Sequence, residues 1–355
     1  MKKEKMSPEL KNIIRILLVE DSPLSCKVIT DILNANPNFI VACRTHNGKE
    51  AVEVVPKIKP DIIIMSINIP SPNDFDSIQS IMSKNPTPIL VISSPFSKDA
   101  KSNVFKAISY GALDVIEKGQ TETPANDIFK KELISKVVLL SKIKVIRHIM
   151  PQIPAPQQGI DYTKDSCRNA ANRIVAIVSS TGGPAALLEI LKNIPKNFPC
   201  AIVIVQHIAS GFVEGLIEWL KERCLITIKT AENSETILPG TAYIAPCDLQ
   251  MRVDERQIRL IHESANNNDF QPSGDILLES VARSYKKEAI GVILTGMGRD
   301  GAAGMKLIKD MGGLTIAQDE KSCVVYGMPK AAIDEGAIDK ILPIEKICEE
   351  IVKSI

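Results

Sequence analysis

The chain of 355 residues has a formal net charge of +1 at pH 7 and a hydrophobic content of 45%. That length is sufficient for two domains with separate hydrophobic cores. Because basic and acidic residues are nearly balanced and interspersed, the charge provides no long-range attraction to nucleic acid, and we expect no nucleic-acid binding. No apolar stretch approaches the ~20 residues that span a bilayer, so we also expect no membrane insertion.

The eight cysteines are scattered along the chain without a Cys-x-x-Cys pair. Together with only four histidines, they offer no cluster with the spacing of metal ligands. Near the N-terminus, Arg15 interrupts the apolar run 13–19, and Glu20 and Asp21 follow it directly, which is not typical of a signal peptide. These features predict a cytoplasmic protein with reduced thiols.

Strand-like and helix-like segments alternate through the N-terminal part, which favours a parallel sheet covered by helices. Predicted strands lie near 14–19, 40–43, 62–66, 89–93 and 113–117. Predicted helices lie near 23–35, 48–58, 75–84, 98–110 and 126–148. Five such strand-helix units predict a flavodoxin-like (βα)5 domain over residues 12–128.

Polar side chains stand where the strands of this domain end. Glu20 and Asp21 follow the first strand, Ser93 ends the fourth and Lys118 follows the fifth, all at the edge where open α/β sheets bind ligands. The segment resembles the response-regulator receiver, in which the acidic pair helps to hold Mg²⁺ and the hydroxyl and lysine contact a phosphoryl group. The same resemblance implies an aspartate acceptor at the end of the third strand, where this chain has Ser66.

The loss of the acceptor has consequences for the whole pocket. A neutral hydroxyl cannot form an acyl phosphate, and it leaves Glu20 and Asp21 as a weakened Mg²⁺ site. Lys118 also loses its usual partner and is expected to pair with one of these two carboxylates. The alternative for the acidic pair alone is a solvated strand end, but the matching Ser93 and Lys118 favour the receiver-like pocket.

Two other aspartates, Asp61 and Asp74, lie near enough in the sequence to be candidates for the missing acceptor. Asp61 lies five residues before Ser66, roughly 16 Å away along an extended strand and on the opposite face, which excludes it. Asp74, eight residues after Ser66, stays open as an alternative acceptor. The receiver is otherwise expected to act as a constitutive cover or docking surface.

A helix and a Pro/Gln-rich linker are predicted over residues 129–172. Three prolines, at 151, 154 and 156, lack backbone donors and fix φ, so no helix continues through this segment.

A second alternation of strands and helices predicts a doubly wound parallel-sheet domain over residues 173–355. Predicted strands lie near 173–178, 200–205, 225–229, 241–245, 290–295 and 314–317. Predicted helices lie near 184–193, 211–222, 274–285, 301–311 and 345–353.

Three strand ends of this second domain carry the residues of a serine hydrolase. Ser180, His207 and Asp300 supply a hydroxyl that attacks, an imidazole that moves its proton and a carboxylate that orients the imidazole. Their chain order differs from that of α/β-hydrolases and of the two well-known serine protease classes. Val178 also stands where the G-x-S-x-G elbow needs a glycine, so the common hydrolase fold is disfavoured.

Each of these residues has a structural alternative. The turn at Ser180 could simply start a helix, His207 could be a hydrogen-bonded structural imidazole, and Asp300 between Arg299 and Gly301 could be a turn residue or cap. The coincidence of complementary groups at three separate strand ends favours the catalytic interpretation.

The strings around these residues closely resemble the chemotaxis protein-glutamate methylesterase family, from about Arg173 onward. The resemblance rests on 176–183 (Ala-Ile-Val-Ser-Ser-Thr-Gly-Gly), Gln206-His207, 239–246 (Pro-Gly-Thr-Ala-Tyr-Ile-Ala-Pro), Pro272-Ser273 with Asp275, and 295–298 (Thr-Gly-Met-Gly) with Asp300-Gly301. It implies that Ser180 is the nucleophile, His207 the base and Asp300 the orienting acid. It also implies that Thr181 and Met297 line the site, with backbone N–H groups around them stabilising the oxyanion.

Two departures from the family pattern adjoin the nucleophile. Val178 replaces a usual glycine, and Ser179 places a second hydroxyl beside Ser180. Because adjacent strand residues point to opposite faces, only one of the two hydroxyls can face His207, and the resemblance favours Ser180.

The resemblance implies hydrolysis of glutamate γ-methyl esters on the cytoplasmic domain of a methyl-accepting chemoreceptor, with release of methanol. Family members can also deamidate receptor glutamine. It implies no cofactor for catalysis, and a chemotaxis histidine kinase as a second partner. The alternative is a catalytically dormant adaptor that binds receptor or signalling proteins, which the missing acceptor and the altered turn keep open.

Overall fold

The computed structural model describes residues 13–67, 72–93, 98–118, 127–145, 172–262 and 271–355. Within that part of the chain there are two compact units. The first lies within Met1–Ser94 and Tyr110–Ile149, and the second within Pro95–Ser109 and Met150–Ile355. The Pro/Gln-rich part of the predicted linker lies outside the described residues.

The first unit is built on a five-stranded parallel sheet. Its strands are β1 (Ile14–Val19), β2 (Phe39–Thr45), β3 (Ile62–Ser66), β4 (Ile89–Ser93) and β5 (Asp114–Glu117). The helices of the N-terminal half are α1 (Pro23–Asn34), α2 (Gly48–Ile58), α3 (Pro72–Lys84), α4 (Lys98–Ser109) and α5 (Asp127–Leu140). The strand order β2-β1-β3-β4-β5 is the flavodoxin-like order that the sequence predicts.

Local sequence explains how these elements form. In β3 the consecutive isoleucines Ile62, Ile63 and Ile64 are fully buried, as expected for a parallel strand that is covered by helices on both faces. Helix α1 begins after Ser22, whose hydroxyl accepts a hydrogen bond from the amide of Ser25.

The second unit contains a seven-stranded parallel sheet and a separate hairpin. The strands of the sheet are β6 (Ile174–Ser179), β7 (Ala201–Gln206), β8 (Thr227–Thr230), β9 (Thr241–Ile244), β12 (Ala289–Ile293), β13 (Leu314–Gln318) and β14 (Lys340–Leu342), and those of the hairpin are β10 (Gln250–Asp254) and β11 (Gln257–Ile261). The helices are α6 (Gly183–Leu191), α7 (Val213–Lys221), α8 (Gly274–Tyr285), α9 (Ala302–Asp310), α10 (Met328–Asp334) and α11 (Ile344–Lys353).

The strand order of this sheet, β14-β13-β12-β6-β7-β9-β8, confirms the predicted doubly wound parallel fold. The chain starts at β6, adds β7, β8 and β9 on one side, and then returns to the other side of β6 with β12. Ligands of open α/β sheets bind at such a reversal, beyond the carboxyl ends of the strands. The ends of β6, β7 and β12 are therefore where a functional site is expected.

Three elements of the second unit are absent from the sequence-based prediction. The hairpin β10–β11 turns at Glu255, which has a positive φ of 52°, and the alternation of polar and apolar residues along both strands is the signal that could have revealed it. Strand β14 has only three residues and is largely exposed at the sheet edge, so it carries little hydrophobic signal. Helix α10 is also short, at seven residues. None of the described helices has the length and apolar character to cross a membrane.

Helix α4 groups with the second unit, although the sequence assigns its residues to the domain 12–128. The buried Phe105 ring lies 5.7 Å from the ring of Trp219 in α7. The indole Nε1 of Trp219 donates a hydrogen bond to Ser109 Oγ at 3.1 Å. The domain boundary drawn from chain order therefore differs from the one drawn by packing.

Helices α8 and α9 pack very closely at Gly304. A β-carbon on Gly304 would lie 2.5 Å from Cβ of Leu278, closer than real β-carbons approach, and at a tight 3.1 Å from the carbonyl oxygen of Asp275. Both Leu278 and Gly304 are buried, so neither helix can move away without opening the core.

We predict that Gly304→Ala destabilises the protein by roughly 1–3 kcal/mol, because the added methyl overpacks this contact. At a solvent-exposed position inside a helix, a change from glycine to alanine would stabilise the protein by about 1 kcal/mol. The sign of the change in unfolding free energy therefore tests whether Gly304 is tightly packed. Urea denaturation measures the free energy of unfolding. The exposed neighbour Ala303 provides a control, since Ala303→Ser should stay within about 0.5 kcal/mol of the parent. A stabilised Gly304→Ala protein would contradict the described packing.

Candidate active site

The ends of three neighbouring parallel strands meet at one edge of the second sheet. In the register of β6 and β7, Ser179 lies opposite Gln206, so Ser180 and His207 follow side by side. The His207 amide donates to the Ser179 carbonyl at 2.9 Å, and the Ser180 amide donates to the Thr295 carbonyl, beyond β12, at 3.0 Å. Backbone pairing therefore continues past the strand ends and holds the turns together.

His207 and Asp300 form a close, largely buried pair. The distance from Nε2 of His207 to Oδ2 of Asp300 is 2.8 Å, and the side chains are 11% and 5% exposed. Because Nε2 is directed at the carboxylate, proton exchange with a nucleophile falls to the other ring nitrogen, Nδ1. This use of the two nitrogens is the reverse of the arrangement in chymotrypsin-like triads.

The Asp300 carboxylate is held at the start of helix α8. Oδ1 accepts from Ser273 Oγ at 2.9 Å and from the Asp275 amide at 3.0 Å, and Oδ2 accepts from the Gly274 amide at 2.6 Å. Burial raises the pKa of Asp300, but the hydrogen bond and charge of His207, with the two amides, outweigh it and lower the pKa below the ordinary value. The side chain is therefore an ionised carboxylate at neutral pH.

The two adjacent serines have different surroundings. Ser179 is fully buried, and its hydroxyl donates to Oε1 of Gln206 at 2.6 Å. Ser180 is only partly buried and faces the turn after β12, where a β-carbon on Gly296 would come within 2.7 Å of Ser180 Cβ. Of the two side chains, that of Ser180 has its Cβ beside the turn that leads to Asp300.

Gln206 links the two turns that carry Ser180 and His207. Its Nε2 donates to the carbonyls of Ser180 at 2.9 Å and of His207 at 2.8 Å, while Oε1 accepts from Ser179. A β-carbon on Gly183 would lie 2.0 Å from this Oε1, so the glycine makes room for the amide. Gln206 thus positions both turns, a role that sequence reasoning did not assign to it.

Thr295 is a second buried residue that links neighbouring turns by hydrogen bonds, and the sequence analysis did not identify this role. Its hydroxyl donates to the Thr181 carbonyl at 2.9 Å and accepts from the Val325 amide at 2.9 Å. The Gly296 amide in turn donates to the Val325 carbonyl at 3.0 Å. The turn after β6 is thereby tied to the segment that precedes α10.

Thr181 and Met297, the two predicted lining residues, occupy different environments. Thr181 is buried beneath the turn of the nucleophile, whereas Met297 is 47% exposed at the rim. The resemblance includes Ser273 without assigning it a role, and Gln250 is a further residue that sequence reasoning did not link to the site. The Ser273 amide donates to Oε1 of Gln250 at 2.7 Å, so the unpredicted hairpin supports the helix start that holds Asp300.

The first unit has its own cluster of the predicted residues around Glu20. This buried carboxylate accepts from the amide of Ser22 at 3.0 Å through Oε1, and from Ser66 Oγ and Lys118 Nζ through Oε2, the latter at 3.3 Å. Lys118 also donates to Ser25 Oγ. The predicted pairing of Lys118 is thus confirmed for Glu20, one of its two expected partners.

The remaining pocket residues do not supply a receiver-type Mg²⁺ site. Ser93 is buried and donates to the Ile67 carbonyl at 3.2 Å, and Asp21 is exposed. Both Glu20 oxygens are engaged, and Ser66 places a neutral hydroxyl where the receiver resemblance implies a carboxylate, so the cluster offers fewer anionic oxygens to Mg²⁺ than the receiver pattern. No group of three or more His, Cys, Asp or Glu side chains within the described ranges could hold a metal ion.

The position of Asp61 can be compared with that of Ser66, whereas the side chain of Asp74 cannot. Asp61 accepts a hydrogen bond from the amide of Arg15 at 2.7 Å, at the start of β1 and β3 and far from Ser66, so its exclusion is confirmed. Asp74 lies in the first turn of α3, and its side chain falls outside the described residues.

Comparisons with known proteins cover both units. The sequence model of the CheB methylesterase family matches residues 175–351, and that of the response regulator receiver domain matches residues 16–127. A protein of Syntrophus aciditrophicus named protein-glutamate methylesterase/protein-glutamine glutaminase 1 is 38% identical over 346 residues, covering 96% of this chain and 98% of its own.

A relative with a similar name, from Pyrococcus abyssi, is 35% identical over 347 residues, covering 96% of this chain and 94% of its own. The crystal structure of the Thermotoga maritima CheB methylesterase catalytic domain is 43% identical. It covers 52% of this chain and 98% of that chain, with a TM-score of 0.49.

We predict that a sulfonyl fluoride labels Ser180 and not Ser179. Ser180→Ala should abolish the covalent adduct, whereas Ser179→Ala should keep labelling within a few-fold and lose roughly 1 kcal/mol of stability, because Gln206 loses a hydrogen-bond donor. Intact-protein and peptide mass spectrometry measures the adduct. Retained labelling in Ser180→Ala with loss in Ser179→Ala would reverse the assignment.

Proposed function

Because the chain belongs to the CheB methylesterase family and has a receiver domain ahead of the catalytic unit, we propose that it hydrolyses glutamate γ-methyl esters of chemoreceptors to glutamate and methanol. The relatives' names include protein-glutamine glutaminase. We therefore extend the proposal to hydrolysis of glutamine side chains at the same site, which releases ammonia.

The observation that carries the proposal is the buried His207–Asp300 pair beside Ser180. An imidazole 2.8 Å from an ionised carboxylate is oriented and can accept a proton, since the carboxylate stabilises the imidazolium that forms. A partly exposed hydroxyl at the neighbouring strand end completes the set needed for acyl transfer.

Acylation starts with attack of Ser180 Oγ on the ester carbonyl carbon, while Nδ1 of His207 takes the hydroxyl proton. The carbonyl oxygen becomes an oxyanion, for which we propose backbone N–H groups of Thr181 and Met297 as donors. One such donor typically contributes 10²–10³ in kcat. Collapse of this intermediate breaks the bond to the methoxy group, and the imidazolium gives its proton to the leaving oxygen, so methanol departs.

Deacylation repeats the same proton transfers with water. His207 takes a proton from a water molecule that attacks the acyl-enzyme carbonyl, and then returns it to Ser180 Oγ as the ester bond to the enzyme breaks. The products are the glutamate side chain and free Ser180. Asp300 remains ionised throughout, since its lowered pKa keeps it a carboxylate.

The alternative of a dormant adaptor is not favoured. Ser180, His207 and Asp300 are all present, and the relatives with 35–38% identity are named as enzymes over nearly the full length of this chain. The proposed protein partners are the cytoplasmic domain of a methyl-accepting chemoreceptor, as substrate, and a chemotaxis histidine kinase. The cytoplasm, where such receptor helices lie, is the proposed location.

We further propose that the receiver functions without phosphorylation and without Mg²⁺. Ser66 cannot carry an acyl phosphate, and it donates to Glu20 where an aspartate would repel that carboxylate. Glu20, 3.3 Å from Lys118, neutralises the charge of that lysine as an anionic phosphoryl group otherwise would. Regulation through this domain then depends on a protein partner.

We predict that Asp300→Asn lowers the rate of methanol release from methylated receptor about 10⁴-fold, because the carboxamide no longer stabilises the imidazolium or fixes its tautomer. Asp339 provides a matched control. It accepts from the amide and hydroxyl of Thr315 at the opposite edge of the sheet, so Asp339→Asn should retain activity within about twofold. An Asp300→Asn protein as active as the parent would exclude the triad.

The same variant has a pH-dependent effect on stability. The pKa of Asp300 is lowered on folding, so its carboxylate stabilises the fold above the unfolded value of about 3.9, and this contribution is lost as the pH falls through the lower folded value. The difference in unfolding free energy between parent and Asp300→Asn should therefore shrink between pH 7 and pH 3.

We predict that acetyl phosphate with Mg²⁺ neither labels the receiver nor changes methylesterase activity. Ser66→Asp restores an acceptor and should make the chain responsive, while the matched Ser66→Ala should stay unresponsive. Mass spectrometry and methanol release, each with and without the phosphodonor, provide the two readouts. A stable aspartyl phosphate in the parent with a severalfold rise in activity would contradict the proposal and indicate Asp74 as the acceptor.

A further inference from the structure

Helices α8 and α9 both begin beside the His207–Asp300 pair. The first amides of each helix donate hydrogen bonds to a carboxylate that lies at the start of the other helix. Asp300, just before α9, accepts from the amides of Gly274 and Asp275 in the first turn of α8. Asp275 in turn accepts from the Gly304 amide in the first turn of α9 at 2.8 Å through Oδ1. The two aspartates therefore cap each other's helices.

Helix α9 depends on this arrangement because it has no cap of its own. Its N-cap position is Gly301, which lacks a side chain, and no local side chain caps the helix. The first N–H groups of a helix need acceptors, and an acidic group there is favoured by the helix dipole. Since Gly301 directly follows Asp300, a carboxylate that anchors the first turn of α9 also fixes the position of Asp300.

We propose that Asp275 is a positioning residue for the hydrolytic site, which holds Asp300 against His207 through this reciprocal capping and adds its negative charge to that of Asp300. The inference rests on the proposed function, because it assigns Asp275 a role through Asp300 and His207. Asp275 contacts neither substrate nor nucleophile in this scheme, and it is therefore not a catalytic residue.

The surroundings of Asp275 disfavour the ionised form of its side chain. Burial is the main cause that raises its pKa to about 6, and repulsion from Asp300 and from Glu279 on its own helix adds to this, against the amides of Gly304 and Gly301. Because the folded value is raised, ionisation of Asp275 destabilises the fold above pH 6, and this cost is absent below the unfolded value. A carboxylate kept in such a place beside a candidate active site is typical of a functional group.

The sign of this effect on stability distinguishes a positioning role of Asp275 from a purely structural one. Asp275→Asn replaces the carboxylate with a weaker, neutral acceptor for the Gly304 amide. It also removes the charge that burial makes costly, so the variant should be at least as stable as the parent at pH 8. A residue that only stabilised the fold would show the opposite. At pH 5 the parent side chain is largely protonated, and the carboxamide then resembles it in both charge and shape.

The test compares kcat/KM for methanol release from methylated receptor between pH 5 and 8.5. The ratio of parent to Asp275→Asn should be roughly ten at pH 8, the lower end of the effect seen when hydrogen-bond partners of metal ligands are removed. It should fall toward one at pH 5. Two controls, Glu279→Gln for a nearby charge and Asp339→Asn for a remote aspartate, should stay within about twofold at every pH. A ratio near one at pH 8, or one that does not change with pH, would overturn the proposal.

A second readout needs no substrate and separates this inference from the proposed function. The ring proton between His207 Nε2 and Asp300 gives a downfield NMR resonance whose shift reports on that hydrogen bond. At pH 8 it should move upfield in Asp275→Asn and stay in place in Asp339→Asn. This shift in a protein that releases no methanol would support the positioning role and refute only the proposed function. An unmoved resonance in Asp275→Asn would refute the positioning role even in an active enzyme.

Discussion

The buried carboxylate of Asp300 is the charge around which the catalytic unit is arranged. A carboxylate removed from water must be matched by hydrogen bonds or an opposite charge. Here the Ser273 hydroxyl, two backbone amides and His207 together provide them. These donors come from the start of α8 and the end of β7, so the sheet edge and the helix must both be in place before the charge can be buried. The geometry of the candidate active site and the folding of this unit therefore depend on each other.

This geometry is possible because the carboxyl ends of the neighbouring parallel strands β6, β7 and β12 lie at the same edge of the sheet. Past the strand ends, two buried polar side chains continue the connection. Gln206 holds the turns of Ser180 and His207, and Thr295 holds the turn after β6 to the segment before α10. Buried polar groups that are fully hydrogen-bonded specify one arrangement of neighbouring turns, which is what a reaction between groups from separate strands requires.

The two units treat their buried carboxylates differently. In the first unit Glu20 is neutralised by Lys118 and receives the Ser66 hydroxyl, so a pocket that resembles a cation and phosphoryl site is internally satisfied. In the second unit Asp300 and Asp275 lie together without a lysine or arginine among the groups that set their pKa values, and helix N-termini provide the compensation. Glu20 is thus paired with a fixed cation, whereas the two aspartates are compensated by amides and a hydroxyl, an arrangement that in the proposed mechanism stabilises the positive charge developing on His207.

The sequence by itself determined the two α/β units, most strand positions and the set Ser180, His207 and Asp300, because hydrophobic periodicity and the residues at strand ends are local properties of the chain. It also determined that Ser66 replaces an acidic acceptor. Only the tertiary structure decided that Nε2 of His207 faces Asp300, that Ser179 bonds Gln206, that α4 packs with the second unit and that Asp275 caps α9. His207 and Asp300 are 93 residues apart in the sequence, and Thr181 and Thr295, which are joined nearby, are 114 residues apart. Their geometry depends on how strands and helices pack in three dimensions, and no local pattern of residues encodes it.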